Sequence, residues 1–213
     1  MKSIIAGLIL TTLGCSAFTA QANTSNIGWK QAAKSDINWN YVGAGYAKAT
    51  IKNIGPDDID LDGYQLNARY LLSDNLYLHA SYYDVSGDVG MDDIMGLELE
   101  ASELVVGLGL RQAVAKNIDS FIEAGYVRSE MEVVSFEKRT FNGFQASAGF
   151  RYLVIQDLEL SAALRYNDSS GSDSSTFGDI SARYRVTPMI DLYINYQFDS
   201  DASLLGTGVA LNF

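Results

Sequence analysis

This sequence of 213 residues is poor in several residue types, with one cysteine, one histidine and two prolines. The cysteine, Cys15, falls among the first 22 residues, so the remainder has no thiol. A disulfide framework and a cysteine-built metal site are thereby excluded. The prolines, Pro56 and Pro188, leave long stretches in which every backbone N–H can donate. Positive charge is also scarce: 15 Lys and Arg stand against 26 Asp and Glu, a net charge of −11. That balance argues against nucleic acid as a partner, which calls for a basic patch. Past residue 22 the longest apolar run is Leu104 to Leu110. A membrane helix needs ~20 such residues, so a helical membrane protein is excluded. What is present is 13 Tyr and 19 Gly, a composition that favours a β protein with a tightly packed interior.

Residues 1–22 read as a cleaved secretory signal peptide. Lys2 supplies the positive start, Ile4 to Leu13 the apolar region, and Ala20-Gln21-Ala22 the small-x-small cut that leaves Asn23 first. Loss of Lys2 leaves 14 basic against 26 acidic residues, a net −12. Leu13-Gly14-Cys15 weakly resembles a lipoprotein processing site, but Thr12 stands where that motif prefers an aliphatic residue. Acylation at Cys15 is therefore the lesser reading. Residues 23–37 form a short polar lead-in, and 38–213 form one domain.

Alternation of apolar and polar residues dominates that domain. Ten strand-like segments are expected, near 38–52, 61–72, 76–86, 101–112, 118–133, 140–154, 157–168, 175–187, 190–199 and 203–213. Each is about the 9–11 residues or more that a tilted strand needs to cross a bilayer. In the fourth, Leu104, Val106, Leu108 and Leu110 oppose Glu103, Gly107, Gly109 and Arg111. In the sixth, Phe144, Ala146, Ala148, Phe150 and Tyr152 oppose Gln145, Ser147, Gly149 and Arg151. The first, with Gly43 and Gly45, is ambiguous in facing. The last places Leu205, Thr207, Val209, Leu211 and Phe213 on one side and mostly small residues on the other.

A secreted soluble barrel would alternate in the same way, with its apolar face inward. Three features favour a membrane barrel. The apolar faces carry almost no charge. The polar faces hold Gly, Ser, Ala and Asn around single Arg or Glu residues, which suits a narrow lumen better than a solvated surface. Aromatics cluster at the ends of apolar faces: Tyr70, Tyr152 and Tyr184 at one end, Tyr64, Tyr82, Tyr126, Tyr166 and Phe198 toward the other. That is the pattern of two interfacial girdles. Connections alternate short and long, as periplasmic turns and external loops do. The expected fold is all-β, a transmembrane antiparallel up-and-down barrel of ten strands, with eight as the alternative.

Across the short turns, polar-face charges sit symmetrically. Arg111 mirrors Asp119, Arg151 mirrors Glu159, Arg185 mirrors Asp191, and Arg69 faces His79. Opposed residues have Cβ atoms ~5 Å apart, so a belt of ion pairs is expected inside the barrel near its periplasmic end. It either fills the lumen or gates it. His79-Ala80-Ser81 weakly resembles the His and Ser pair of lipid A deacylases. His79 follows a short periplasmic turn, however, whereas that chemistry belongs to the outer leaflet, and omptin proteases need a histidine at the external rim. No catalytic residue, cofactor or metal site is assigned. Acidic residues crowd the outer loops: Asp57, Asp58, Asp60 and Asp62, then Asp84, Asp88, Asp92, Asp93, Glu98 and Glu100. Asp84-Val85-Ser86-Gly87-Asp88 resembles the start of an EF-hand loop, but Val89 replaces the turn glycine and Met95 the terminal Glu. A solvated, self-repelling loop is the plainer account.

The signal peptide, the ten alternating segments and the closing Gly208-Val209-Ala210-Leu211-Asn212-Phe213 resemble the small Gram-negative outer-membrane β-barrel proteins, the porin-like group that contains the OmpA membrane domain. Gly208, Leu211 and Phe213 stand at the positions of the carboxyl-terminal signal read by the barrel assembly machinery, with Leu211 where an aromatic is common and Gly206 where a polar residue is usual. The resemblance implies a monomer in the outer membrane, surrounded by lipid and lipopolysaccharide, delivered by periplasmic chaperones and the assembly machinery. It implies a structural or surface-interaction role through the acidic loops. A narrow porin-like channel is the alternative, and a lipid A-modifying enzyme the remote one.

Overall fold

A computed structural model describes residues 35–52, 58–89, 97–133, 138–171 and 173–213. The expected signal peptide with Cys15, most of the lead-in, and Asp57, Asp92 and Asp93 lie outside these residues.

Ten strands follow one another: β1 (Tyr41–Ile51), β2 (Ile59–Leu71), β3 (Leu76–Val89), β4 (Leu97–Ala115), β5 (Ile118–Val133), β6 (Arg139–Ile155), β7 (Leu158–Ser169), β8 (Ser175–Thr187), β9 (Ile190–Phe198) and β10 (Ala202–Asn212). Each pairs antiparallel with its sequence neighbours, and β1 pairs with β10 from Tyr41↔Asn212 to Ile51↔Ala202. The sheet is thus closed and presents no edge, which is what permits a sheet to exist in hydrocarbon. The eight-strand alternative is removed, because β1 and β2 are both complete ladder members. The first strand begins at Tyr41 rather than at 38, since residues 35–40 leave the sheet and enter the barrel.

Apolar side chains point outward. Leu108, Phe150 and Leu160 are exposed at 49%, 55% and 43%, while Asp119 and Arg151 inside are at 0% and 1%. Apolar exposure on this scale is untenable in water and suits a lipid-facing wall. The ambiguous β1 turns Gly43 and Ala47 inward and Val42, Ala44 and Tyr46 outward. In β10, Leu205, Thr207, Val209 and Leu211 face out, and Leu204, Gly206, Ala210 and Asn212 face in. Phe213 stacks on Tyr70 of β2 outside the wall, with centroids 6.2 Å apart, reaching across the end of β1.

At one end the strands are joined by tight turns, such as Lys116-Asn117, Gln156-Asp157 and Pro188-Met189. Register shifts sit beside these turns, between Ala113 and Ala115, Leu153 and Ile155, and Arg185 and Thr187. Inside, the barrel is layered. An apolar group of Ile37, Trp39, Tyr77 and Phe121 fills the short-turn end. An apolar collar of Ala47, Leu61, Val85, Leu99 and Leu204 lines the long-loop end. Charged and amide side chains occupy the space between. Glycines make room for them: a Cβ on Gly109 would run into the Tyr77 ring.

Candidate functional site

The middle of the barrel is organised on Glu123 of β5. Its Oε1 accepts from Tyr77 Oη at 2.8 Å and meets Arg69 Nη2 at 2.7 Å, and its Oε2 accepts from Ser147 Oγ at 2.8 Å. Both carboxylate oxygens are therefore occupied, by side chains from β2, β3 and β6. Toward the long-loop end, Arg165 pairs with Asp179 at 2.8 Å and donates to Gln197 at 3.2 Å. Gln65 of β2 donates to Asn195 of β9 at 3.0 Å. That rung passes over Gly206, where a Cβ would collide with both amides.

At the short-turn end the expected belt residues are brought inside. Arg151 and Glu159 form a bidentate pair, with Nε–Oε1 at 2.7 Å and Nη2–Oε2 at 3.0 Å. Arg111 reaches Asp119 at 3.3 Å. Asp191 takes Arg183 at 2.9 Å and lies 3.8 Å from Arg185. These differ from direct opposition. Across β6 and β7 the residue opposite Arg151 is Ser161 and the one opposite Glu159 is Leu153, while on their other edges Arg151 stands opposite Asp119 and Glu159 opposite Arg183. Arg111–Asp119, Arg151–Glu159 and Arg183–Asp191 are each eight positions apart and diagonal on the ladder, a span that a long arginine covers. Arg185 does stand opposite Asp191, but Arg183 has the shorter contact.

The fourth expected pair is opposed in register only. Arg69 faces His79 across β2 and β3, yet its guanidinium goes to Glu123. A carboxylate across the interior is a stronger acceptor for a guanidinium than an imidazole is. His79 Nε2 lies over Gly107 without a hydrogen-bond partner. Both His79 and Ser81 line an interior cavity of about 150 Å³, with Arg69, Glu123, Gln145 and Arg165 also around it.

The alternation reading did not single out Trp39. Its indole is fully buried, 4.5 Å from the Tyr77 ring and 5.8 Å from Phe121, and Arg151 sits 4.3 Å from its centroid. Trp39 Nε1 donates to Asp119 Oδ2 at 2.7 Å. Glu123, Arg183 and the Arg165–Asp179 pair were also passed over. Each lies on the polar side of a strand; Glu123 draws Arg69 and Tyr77 from non-adjacent strands, which leave no mark in local spacing, whereas Arg165–Asp179 and Arg183–Asp191 are diagonal pairs on adjacent strands.

The acidic residues near the long-loop end are on the outer wall. Asp60 meets Lys48 at 2.8 Å and accepts from Thr50, Asp62 accepts from Tyr46, and Asp84 accepts from Tyr82 at 2.9 Å and Tyr64 at 3.3 Å. Asp84-Val85-Ser86-Gly87-Asp88 is extended in β3, so the EF-hand-like spacing does not form a loop. Among the described residues no group of three or more His, Cys, Asp or Glu side chains is placed to hold a metal ion. Lys138, just before β6, meets Glu130 at 2.6 Å, and that carboxylate raises the lysine pKa above its ordinary value.

The folded chain is similar to the NanC porin, with a TM-score of 0.50 and 11% identity over 81% of this chain and 100% of that one. The barrel has the fold of an outer-membrane protein. It also resembles Neisserial surface protein A (TM-score 0.45, 14% identity, 81% and 96% covered) and Ail, the attachment invasion locus protein of Yersinia pestis (0.41, 14%, 82% and 100%). No protein-family description matches the chain, and no curated protein sequence does. At these identities the likeness concerns fold alone.

Proposed function

We propose that this chain is an integral outer-membrane protein of a Gram-negative bacterium, a barrel closed along its axis that acts as a wall element and meets partners through its acidic long-loop end. The outward apolar face supports the bilayer, and the short turns then lie in the periplasm. Lipid and lipopolysaccharide surround the monomer. Periplasmic chaperones and the barrel assembly machinery deliver it, reading Gly208, Leu211 and Phe213.

The observation that carries the closed reading is the burial of Trp39 in the short-turn mouth, above which the interior charges are paired with one another. A conducting pore needs a continuous wet path, and a filled interior of this strand number has little room for one. The test is planar-bilayer recording of the purified mature protein. No steady current is expected, and sustained ohmic conductance would overturn the reading.

A narrow diffusion channel is the second reading, favoured by the polar cavity of about 150 Å³. Lipid A modification has less support, since His79 and Ser81 lie along the cavity wall rather than at the long-loop rim. Mass spectrometry of lipid A from cells with and without the protein tests it, with identical spectra expected.

A further inference from the structure

The closure at the short-turn mouth is made by a segment outside the sheet. Residues 35–40 have no strand structure. Besides the Trp39–Asp119 hydrogen bond, they cross the mouth on these attachments: Asp36 N donates to Lys116 O at 2.9 Å, Lys116 Nζ meets the Asp36 carboxylate at 3.4 Å, Phe213 N donates to Asn40 O at 3.2 Å, and Leu71 N to Asn40 Oδ1 at 2.8 Å. Arg151 Nη2 donates to Asn38 O at 2.9 Å. These partners belong to β2, the β4–β5 turn, β5, β6 and the carboxyl terminus, so the segment is a strap across the opening. A barrel wall strand, by contrast, is held by two full ladders.

The ion pairs around Trp39 form without it, although Asp119 Oδ1 and Arg151 Nη1 have no hydrogen-bond partner of their own. Arg151 keeps its bidentate pair with Glu159, Arg111 keeps Asp119, and Arg69 keeps Glu123. Withdrawal of the indole exposes one carboxylate oxygen and some ring surface and leaves no buried charge unpaired. The wall therefore does not depend on the stopper. Phe121, which packs edge-on against Trp39, also borders the polar cavity, so the indole separates that cavity from the mouth.

We infer that residues 35–40 are a displaceable plug, with Trp39 as its stopper, that shuts the lumen at the short-turn mouth and opens a narrow path when withdrawn. The inference rests on the membrane reading given above. Because arginines and carboxylates line the exposed path in pairs, the opened state discriminates little between small anions and cations.

The experiment compares the full mature protein with Trp39→Ala, Trp39→Phe and Trp39→Cys in planar bilayers, each first shown to be folded by its compact mobility in unheated gels. The mature chain has no other cysteine, so a thiol at position 39 is labelled alone. The wild type is expected to be silent or to open briefly. Trp39→Ala is expected to raise the mean current on the order of tenfold, the change that follows when one hydrogen bond to a charged group no longer favours the closed state. Trp39→Phe keeps the packing and is expected to fall between them. A bulky thiol reagent on Trp39→Cys is expected to return the current to the wild-type level. If Trp39→Ala fails to fold, the Phe and Cys variants carry the comparison. Folded variants as silent as the wild type would overturn the plug and leave the closed barrel standing. A wild type with the same steady current as Trp39→Ala would overturn both.

Discussion

Arg69 of β2 and Glu123 of β5 meet at 2.7 Å across the inside of the barrel, with β3 and β4 between them in the wall. The pair braces non-neighbouring strands against each other. It also explains why Arg69 does not use His79, its register partner. Removing one member of such a buried pair strands the other. Glu123→Ala is therefore expected to lower unfolding stability by about 3–5 kcal/mol, whereas Arg69→Met with Glu123→Leu costs far less. Urea unfolding in detergent, read by tryptophan fluorescence, checks both. A double variant no better than Glu123→Ala would refute the bracing role.

Arg151 holds Glu159 with two hydrogen bonds and covers the Trp39 ring. Lysine offers one point charge and no planar fork. Arg151→Lys is expected to lose about 1–3 kcal/mol of stability, and Arg151→Ala more, since Glu159 is then buried alone. Single-channel recording of Arg151→Ala beside the parent bears on the ion pairs as a gate. Identical conductance in both would remove that gate.

Gly109 lies under the Tyr77 ring. Gly109→Val is expected to expel Tyr77 from its hydrogen bond with Glu123, leaving little folded barrel. Gly109→Ala also clashes, and should cost about 1–3 kcal/mol. The folded fraction on unheated gels measures both. A wild-type yield from Gly109→Val would contradict the close packing described.

Leu108 faces outward in the middle of β4. In a bilayer, Leu108→Arg should cost about 2–4 kcal/mol. On a water-soluble barrel the same change would be harmless. Unfolding from lipid vesicles separates the two outcomes.

Phe213 stacks on Tyr70 at the short-turn rim. Deleting Phe213 removes that contact, worth about 0.5–1.5 kcal/mol beyond its area. It also removes the terminal aromatic of the proposed assembly signal. On that proposal a lower folded yield in cells than in detergent refolding is expected, because only the cellular route would read the signal. Equal losses in both would assign Phe213 to packing alone.

The strands were legible because alternation is a local property. Val106 and Leu108 are apolar and Gly107 is not, and the two-residue repeat sends them to opposite faces whatever the rest of the chain does. β1 resisted because Gly43, Gly45, Ala44 and Ala47 are small on both faces. Only its neighbours β2 and β10 decide which side is wet. The hairpin pairs Arg111–Asp119 and Arg151–Glu159 were readable for the same reason as the strands, since a short turn brings both partners together. Arg183 makes the shorter contact although Arg185 is the residue opposite Asp191, because a long arginine reaches the diagonal position.

Period, turn length and an apolar face with almost no charge pointed to a closed sheet with its oily side outward. Closure itself then chose the contacts that matter most. Trp39 and Asp119 are 80 positions apart, and nothing in the spacing of either calls for the other. They meet because a barrel returns its ends to one rim, so that a short segment ahead of the first strand can turn inward and find a carboxylate waiting there.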